Sequence, residues 1–136
     1  MTREARILIV EDDDVTAECL CDLLAAEGYT PQVLQAPRTV EAVRQAQPDL
    51  VLLDLILPDT EGEEILQALR SASDLANLPV VLLSAVPHLA ERAATLPVQG
   101  YVAKPFELDV LLHTIGDLLS RAGLCAARPR LQWART

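Results

Sequence analysis

The segment that decides the fold is Leu50–Pro58, which reads LVLLDLILP. Its first four side chains, Leu50–Leu53, are all apolar, which is typical of a short strand buried on both faces of a parallel sheet. Asp54 ends this run, so one carboxylate emerges from a dry interior at the end of the predicted strand. The residues that follow, Leu55–Pro58, keep the next segment apolar and stiff. We therefore expect a central strand that presents a single carboxylate at its carboxyl end.

Short apolar runs of the same kind recur along the chain. They lie at Ile7–Val10, Val80–Leu83 and Tyr101–Ala103, and each needs helices to cover both of its faces. Thr30–Leu34 is a weaker run, and because proline cannot donate to a sheet ladder, Pro31 predicts that this strand lies at a sheet edge. The sequence therefore predicts five strands.

Segments with helical spacing alternate with these runs. Apolar side chains recur every three or four positions in four of the segments, within residues 16–24, 40–46, 62–69 and 108–119. Gly28 stands where the cap of the first helix belongs. Pro87 and Pro97 bracket the remaining segment, before the last strand, and leave its helix about two turns. Five β-α units in succession predict right-handed crossovers and a doubly wound, three-layer α/β sandwich.

Length and composition predict one soluble domain. The 136 residues match one ordinary domain, and an apolar share of 51% excludes a disordered chain. The apolar runs are too short to span a bilayer, and residues 1–6 do not resemble a secretory signal. Cys19, Cys21 and Cys125 have no spacing typical of a disulfide or zinc site. We therefore expect a cytoplasmic protein with reduced thiols.

The charge is acidic overall and uneven along the chain. A net charge of −9 argues against direct binding to nucleic acid, which requires a surplus of basic side chains. Residues 1–120 hold all 20 acids, whereas the last sixteen residues carry only basic charges. We predict a compact domain over residues 5–121 and a basic tail over residues 122–136, with no output domain. Trp133 is expected to anchor the tail on its own domain or on a second copy, which makes a homodimer one expected assembly.

Acidic side chains follow two of the predicted strands. In doubly wound sheets the ligand lies beyond the carboxyl ends of the strands, where the strand order reverses. Glu11–Asp14, four consecutive acids, follow the first strand, which is more than a helix cap requires, and Asp54 follows the third. Crowded carboxylates repel one another unless a cation joins them. This pattern favours Mg²⁺, which prefers one or two carboxylates together with water and phosphate oxygens.

A serine and a lysine follow the last two predicted strands, Val80–Leu83 and Tyr101–Ala103. Lys104 ends the last strand, directly before Pro105, and the other ten basic residues are all arginine. A compact ammonium at this position suits a phosphate or a carboxylate. Ser84 ends the fourth strand and by itself indicates nothing, because hydroxyl groups at strand ends usually cap helices or face water.

Taken together, the strand-end residues resemble the phospho-acceptor receiver domain of two-component response regulators. The resemblance covers about residues 5–121 and is carried, in order, by Glu11–Asp12, Asp54 with its DLILP stretch, Ser84–Ala85, Tyr101 and Lys104–Phe106. It implies a flavodoxin-like (βα)5 fold with a parallel five-stranded sheet of order 2-1-3-4-5. It also implies a signalling protein that catalyses only its own phosphorylation and dephosphorylation, not an enzyme acting on other substrates.

The resemblance also implies a role for each acidic residue. Asp54 would be phosphorylated by a sensor histidine kinase or a phosphotransfer protein. Asp12, Asp54 and the main-chain carbonyl of Ile56 would bind Mg²⁺ directly, and Glu11 would act largely through water.

The remaining matched residues would hold and report the phosphoryl group. Ser84 and Lys104 would take its oxygens. Once phosphorylated, Asp54 would draw Ser84 inward, and the ring of Tyr101 would follow. The surface of the fourth helix and fifth strand would then signal to a downstream protein.

Three alternatives stay open at this point. A phosphatase of the haloacid dehalogenase type also uses a strand-end Asp, Mg²⁺, Ser and Lys, but it needs an acid where this chain has Ile56. An interaction module that does not react is a second alternative. The chain could also be the receiver fragment of a longer transcriptional regulator.

Overall fold

The protein folds into alternating strands and helices. The computed structural model describes residues 4–35, 40–56 and 62–121. The strands are β1 Arg6–Val10, β2 Thr30–Leu34, β3 Leu50–Leu53, β4 Val80–Ser84 and β5 Gly100–Ala103. The helices are α1 Asp14–Ala26, α2 Val40–Ala46, α3 Gly62–Ser71, α4 Leu89–Ala94 and α5 Leu108–Arg121. None of the helices in these ranges has the length and apolar character needed to cross a lipid bilayer.

The strands form one parallel sheet in the predicted order, β2-β1-β3-β4-β5. β2 lies at an edge, beside β1, and the Thr30 amide donates to the Ala5 carbonyl at 2.9 Å. Amides alternate in direction along a strand, so position 31 faces away from β1, where the missing N–H of Pro31 breaks no ladder bond. The predicted edge position of Thr30–Leu34 is confirmed.

Alternate side chains of the strands build a core on each face of the sheet. One core packs α2, α3 and α4 against the sheet and includes the buried Leu53, Leu66 and Leu82. The other packs α1 and α5 against the opposite face and includes Leu20 and Leu52. Each fully buried leucine contributes roughly 1.5–3 kcal/mol of hydrophobic stabilisation. The predicted three-layer sandwich is confirmed, and it makes the sheet a firm support for the residues at its strand ends.

The ends of α1 follow local sequence signals. Asp13 is the N-cap, and its carboxylate accepts from the Thr16 amide at 2.8 Å and from the Thr16 hydroxyl at 2.6 Å. One of the four consecutive acids therefore has an ordinary capping role. Gly28 has a φ of 90°, and the Tyr29 amide donates back to the Leu24 carbonyl at 3.1 Å, as in a Schellman motif. The predicted cap at Gly28 is confirmed.

The fourth helix is short, as predicted from its flanking prolines. It spans six residues, and its N-cap residue, His88, makes no side-chain capping hydrogen bond. The predicted basic tail, residues 122–136, lies outside the described residues. The boundary of the domain at residue 121 therefore stays a prediction.

Candidate functional site

The parallel register brings the carboxyl ends of four strands to one edge of the sheet. β1 pairs with β3 in a register that places Glu11 beside Asp54, whose amide donates to the Val10 carbonyl at 3.2 Å. β4 and β5 are joined at the same edge, where the Lys104 amide donates to the Ser84 carbonyl at 2.9 Å. The residues that the sequence singled out separately therefore meet in one place.

The Asp54 carboxylate is buried and accepts hydrogen bonds from three donors. Oδ1 accepts from the Ser84 hydroxyl at 2.9 Å and from the Ile56 amide at 3.0 Å. Oδ2 accepts from the Lys104 ammonium at 3.0 Å. These donors offset the cost of burying an anion, and a carboxylate has about four acceptor positions. Asp54 is therefore held in one orientation with capacity for about one further partner.

Lys104 joins two buried carboxylates. Its Nζ lies 2.5 Å from Glu11 Oε1 and 3.0 Å from Asp54 Oδ2. Burial alone lowers the pKa of Lys104, but the hydrogen bonds to Glu11 and Asp54 outweigh that effect and raise its pKa above the ordinary value. The only lysine of the chain is therefore a constant positive charge at the centre of the site.

Three carboxylates could hold a metal ion. One oxygen each from Glu11, Asp12 and Asp54 lies within 4.8 Å of the others. Hard oxygen donors at this spacing fit Mg²⁺, which binds to one or two carboxylates and keeps several waters. Glu11 is buried and already bound to Lys104, whereas Asp12 is exposed at the rim. Of the three carboxylates, Asp12 is therefore the one that Lys104 does not contact.

In the unphosphorylated protein, Ser84 already has the contact with Asp54 that the sequence-based hypothesis expected only after phosphorylation. Ser84 is fully buried, and its hydroxyl already donates to the Asp54 carboxylate. The sequence-based hypothesis had phosphorylation draw Ser84 inward. A buried hydroxyl needs an acceptor, and Asp54 itself supplies one. Tyr101 nevertheless points outward and is 46% exposed, so an inward Ser84 is compatible with an outward ring.

Gly62, the first residue of α3, packs closely against the main chain of Asp54 and Leu55. Its amide donates to the Leu55 carbonyl at 3.1 Å. A Cβ at Gly62 would lie 2.3 Å from the Asp54 carbonyl oxygen, closer than any side chain can approach backbone. Nothing in the local sequence shows how closely α3 approaches the residues that follow β3. The glycine therefore allows the start of α3 to pack directly against the main chain of Asp54.

A parallel sheet of this order, with three carboxylates and a lysine at its strand ends, is the arrangement that the resemblance to phospho-acceptor signalling domains predicts. The model of the response regulator receiver domain family matches residues 7–116, and the chain belongs to this family. The resemblance inferred from the sequence is confirmed, and the phosphatase alternative gains no support.

Curated relatives and solved structures agree with this family. Response regulator MprA of Mycolicibacterium vanbaalenii is 36% identical over 119 residues, covering 85% of this chain and 51% of that protein. Transcriptional regulatory protein BaeR of Escherichia coli is 33% identical over 130 residues, covering 93% of this chain and 52% of that protein. The chain thus spans about half the length of the curated relatives that it matches.

Two solved receiver domains superpose on the chain. That of a signal transduction histidine kinase from Syntrophus aciditrophicus has a TM-score of 0.75 at 32% identity, covering 86% of this chain and 91% of its own. The receiver domain of sensor histidine kinase PA1611 from Pseudomonas aeruginosa, solved with a magnesium ion in its active site cleft, has a TM-score of 0.75 at 24% identity, covering 86% of this chain and 98% of its own. The second likeness shows the fold alone.

Proposed function

We propose that Asp54 accepts a phosphoryl group and that the acceptor site consists of Asp54, Lys104, Ser84, Glu11 and Asp12. The observation that carries this proposal is the Asp54 carboxylate itself. It is buried, bound by an ammonium, a hydroxyl and an amide, and lies within reach of two more carboxylates. Such an arrangement suits transfer of a phosphoryl group better than a structural ion pair, which has no use for the additional acids.

The chemistry requires the neutralisation of negative charge. The phosphoryl group leaves a histidine nitrogen or another donor as a new bond forms between a carboxylate oxygen of Asp54 and phosphorus. Asp12, Asp54 and the Ile56 carbonyl would hold Mg²⁺, which supplies positive charge for the phosphoryl oxygens. Lys104 supplies a second positive charge, and Ser84 supplies a hydrogen-bond donor. The rigid strand ends keep Asp54 aligned with the group that it attacks.

The family suggests partners on both sides of this reaction. A sensor histidine kinase or a phosphotransfer protein would donate the phosphoryl group, and a downstream protein would bind the surface of α4 and β5.

The receiver unit is proposed to span residues 5–121 and the tail residues 122–136. The chain spans about half the length of relatives such as BaeR. The absence of direct nucleic-acid binding and the cytoplasmic location stay predictions.

The direct test uses a small phosphodonor. Acetyl phosphate with Mg²⁺ should add one phosphoryl group to the 136-residue protein, measured by intact mass, and peptide mapping should place the group on Asp54. Chelation of Mg²⁺ by EDTA should prevent the reaction. Phosphorylation at another residue, or none with metal present, would contradict the proposal.

Lys104→Arg should separate metal binding from switching. A guanidinium is broader than an ammonium and cannot bridge Glu11 and Asp54 as one compact charge. We expect the affinity for Mg²⁺, measured by calorimetry, to stay close to that of the wild type. The structural change that the phosphoryl mimic beryllofluoride produces in β4, α4 and β5 should be smaller than in the wild type.

The control is the opposite exchange, Arg121→Lys, at an exposed ion pair with Asp117 that lies outside the site. It should affect neither metal binding nor the response to beryllofluoride. A Lys104→Arg protein that matches the wild type in phosphorylation and switching would show that the lysine has no special role.

The phosphoryl group should be long-lived. By family resemblance, Ile56 and Val86 lie beside the path of the hydrolytic water, and an apolar side chain cannot orient or activate that water. Ile56 is 60% exposed, so a polar replacement is tolerated by packing. Ile56→Asn and Val86→Glu should each shorten the lifetime about tenfold or more, measured by the decay of labelled protein.

Ile56→Val is the matched control for the lifetime measurement. It keeps the side chain apolar and should leave the decay unchanged. An unchanged decay in both polar variants would refute the role given to Ile56 and Val86.

A further inference from the structure

α4 is a short helix with little support of its own. It has six residues and no side-chain cap at His88, and isolated helices shorter than about 12 residues are marginal in water. Leu89 and Ala93 pack into the core that α3 also enters. The position of α4 therefore depends on contacts with its neighbours.

One such contact joins α4 to the first turn of α3. The Arg92 guanidinium, on α4, forms an ion pair with the Glu63 carboxylate. Glu63 directly follows Gly62, which fits against the Asp54 carbonyl and donates to the Leu55 carbonyl. The end of α3 that packs against Asp54 and Leu55 thus also contacts α4.

A second contact, from the last turn of α3, holds the loop between α4 and β5. Arg70 Nε donates to the Pro97 carbonyl at 2.9 Å, and Nη2 donates to Gln99 Oε1 at 2.8 Å. The same Gln99 oxygen accepts from the Val80 amide at 2.8 Å, at the start of β4. Arg70 Nη1 also donates to the Leu78 carbonyl at 2.8 Å. One guanidinium therefore fixes the loop that follows α4 to the strand beside it.

Glu63 and Arg70 lie on the same face of α3. They are seven residues apart, which is about two helical turns and about 10 Å along the helix. Glu63 therefore contacts the start of the segment of residues 92–99, and Arg70 contacts its end. The route from Asp54 through α3 to α4 is separate from the contact between Asp54 and Ser84.

We propose that α3 is a positioning element that links the main chain of Asp54 and Leu55 to α4 and to the loop before β5. Glu63 and Arg70 are the positioning residues, and neither touches the phosphoryl group. The proposal rests on the proposed function, since the displacement that α3 passes on is the one that phosphorylation of Asp54 produces. One part of the proposal needs no phosphorylation: the contacts of Glu63 and Arg70 also hold α4 and the loop before β5 in the unphosphorylated protein.

The first experiment measures hydrogen–deuterium exchange by mass spectrometry on the 136-residue protein. Glu63→Gln keeps the shape of the side chain and removes its charge. Exchange in residues 89–94 should become about two- to fivefold faster, which corresponds to the loss of one surface ion pair. Glu64→Gln is the matched control, because it removes the same charge from the same turn of α3 and leaves the contact with Arg92 in place. Equal exchange in the two variants overturns the proposal.

Two further variants test each contact separately. The Glu63→Gln/Arg92→Gln double variant should exchange no faster than either single variant, and additive effects would overturn the coupling. Arg70→Lys replaces a planar fork by one point charge and should raise exchange in residues 95–99 relative to β1 and β3. A uniform rise that includes β1 and β3 would show global destabilisation instead and would count against the role of Arg70.

The second experiment adds Mg²⁺ and beryllofluoride. In the wild type, exchange in residues 89–99 should change, and in Glu63→Gln that change should be smaller by about twofold or more. A full response in Glu63→Gln would overturn transmission through α3. A wild type that shows no response would contradict the proposed function instead, and the first experiment would still decide whether α3 holds α4.

Discussion

Replacing Asp54 by Asn is expected to abolish phosphorylation by acetyl phosphate. The amide has nearly the same shape as the carboxylate, but it is a poor nucleophile and carries no charge for Mg²⁺. Ser84 and the Ile56 amide can still donate to its oxygen, so the fold should be retained. Intact mass measured over a time course should show no added phosphoryl group.

Asp49→Asn is the matched control, because Asp49 lies at the opposite end of the same strand. Its carboxylate accepts from the Arg6 amide at 2.7 Å, a contact that an asparagine oxygen can also make. The control should be phosphorylated like the wild type. Acid-labile phosphate that persists in Asp54→Asn at the wild-type level would refute the assignment of the acceptor.

Replacing Asp12 by Ala should remove metal binding and phosphorylation together. Of the three clustered carboxylates, Glu11 and Asp54 are already paired with Lys104. Asp12 therefore contributes the acid that Lys104 does not contact. We expect the affinity for Mg²⁺, measured by calorimetry, to fall by at least about 10- to 100-fold, with no detectable phosphorylation.

The neighbouring Asp13 provides a control for the loss of charge at this rim. Asp13→Ser removes one carboxylate but keeps an oxygen that can cap α1, where Asp13 now accepts from the Thr16 amide. Metal binding should persist in this variant. If Asp12→Ala bound Mg²⁺ as well as Asp13→Ser does, the placement of the metal at Glu11, Asp12 and Asp54 would be wrong.

Strand and helix positions were predictable because burial on both faces leaves a clear local pattern. The run Ile7–Val10 differs from β1 by one residue, and Leu50–Leu53 coincides with β3. Pro31 predicted an edge strand because a residue without an N–H is poorly tolerated inside a central strand. The length of α4 followed from Pro87 and Pro97. These features depend on the periodicity and backbone chemistry of a few adjacent residues.

That the strand-end residues meet was also predictable, but their contacts were not. Asp54 and Lys104 each end a strand, and the carboxyl ends of parallel strands meet at one edge. The local pattern of adjacent acids does not distinguish Glu11 from Asp12, and only the family resemblance gave them different roles. In the structure Glu11 is buried against Lys104, and Asp12 is exposed. The contact between Ser84 and Asp54 is likewise a product of the register of β3 and β4.

The sequence by itself determined the order of the elements, the edge strand and which polar residues end the strands. Only the tertiary structure decided how closely Gly62 fits against Asp54 and which groups Arg70 binds. Arg44 is similar, since its Nε donates to Asp74 Oδ2 at 2.6 Å across 30 residues. Local patterns arise from neighbours in the chain, whereas these contacts join elements whose separation is set by core packing. The residues next to an arginine in the sequence therefore do not predict which distant group its guanidinium will bind.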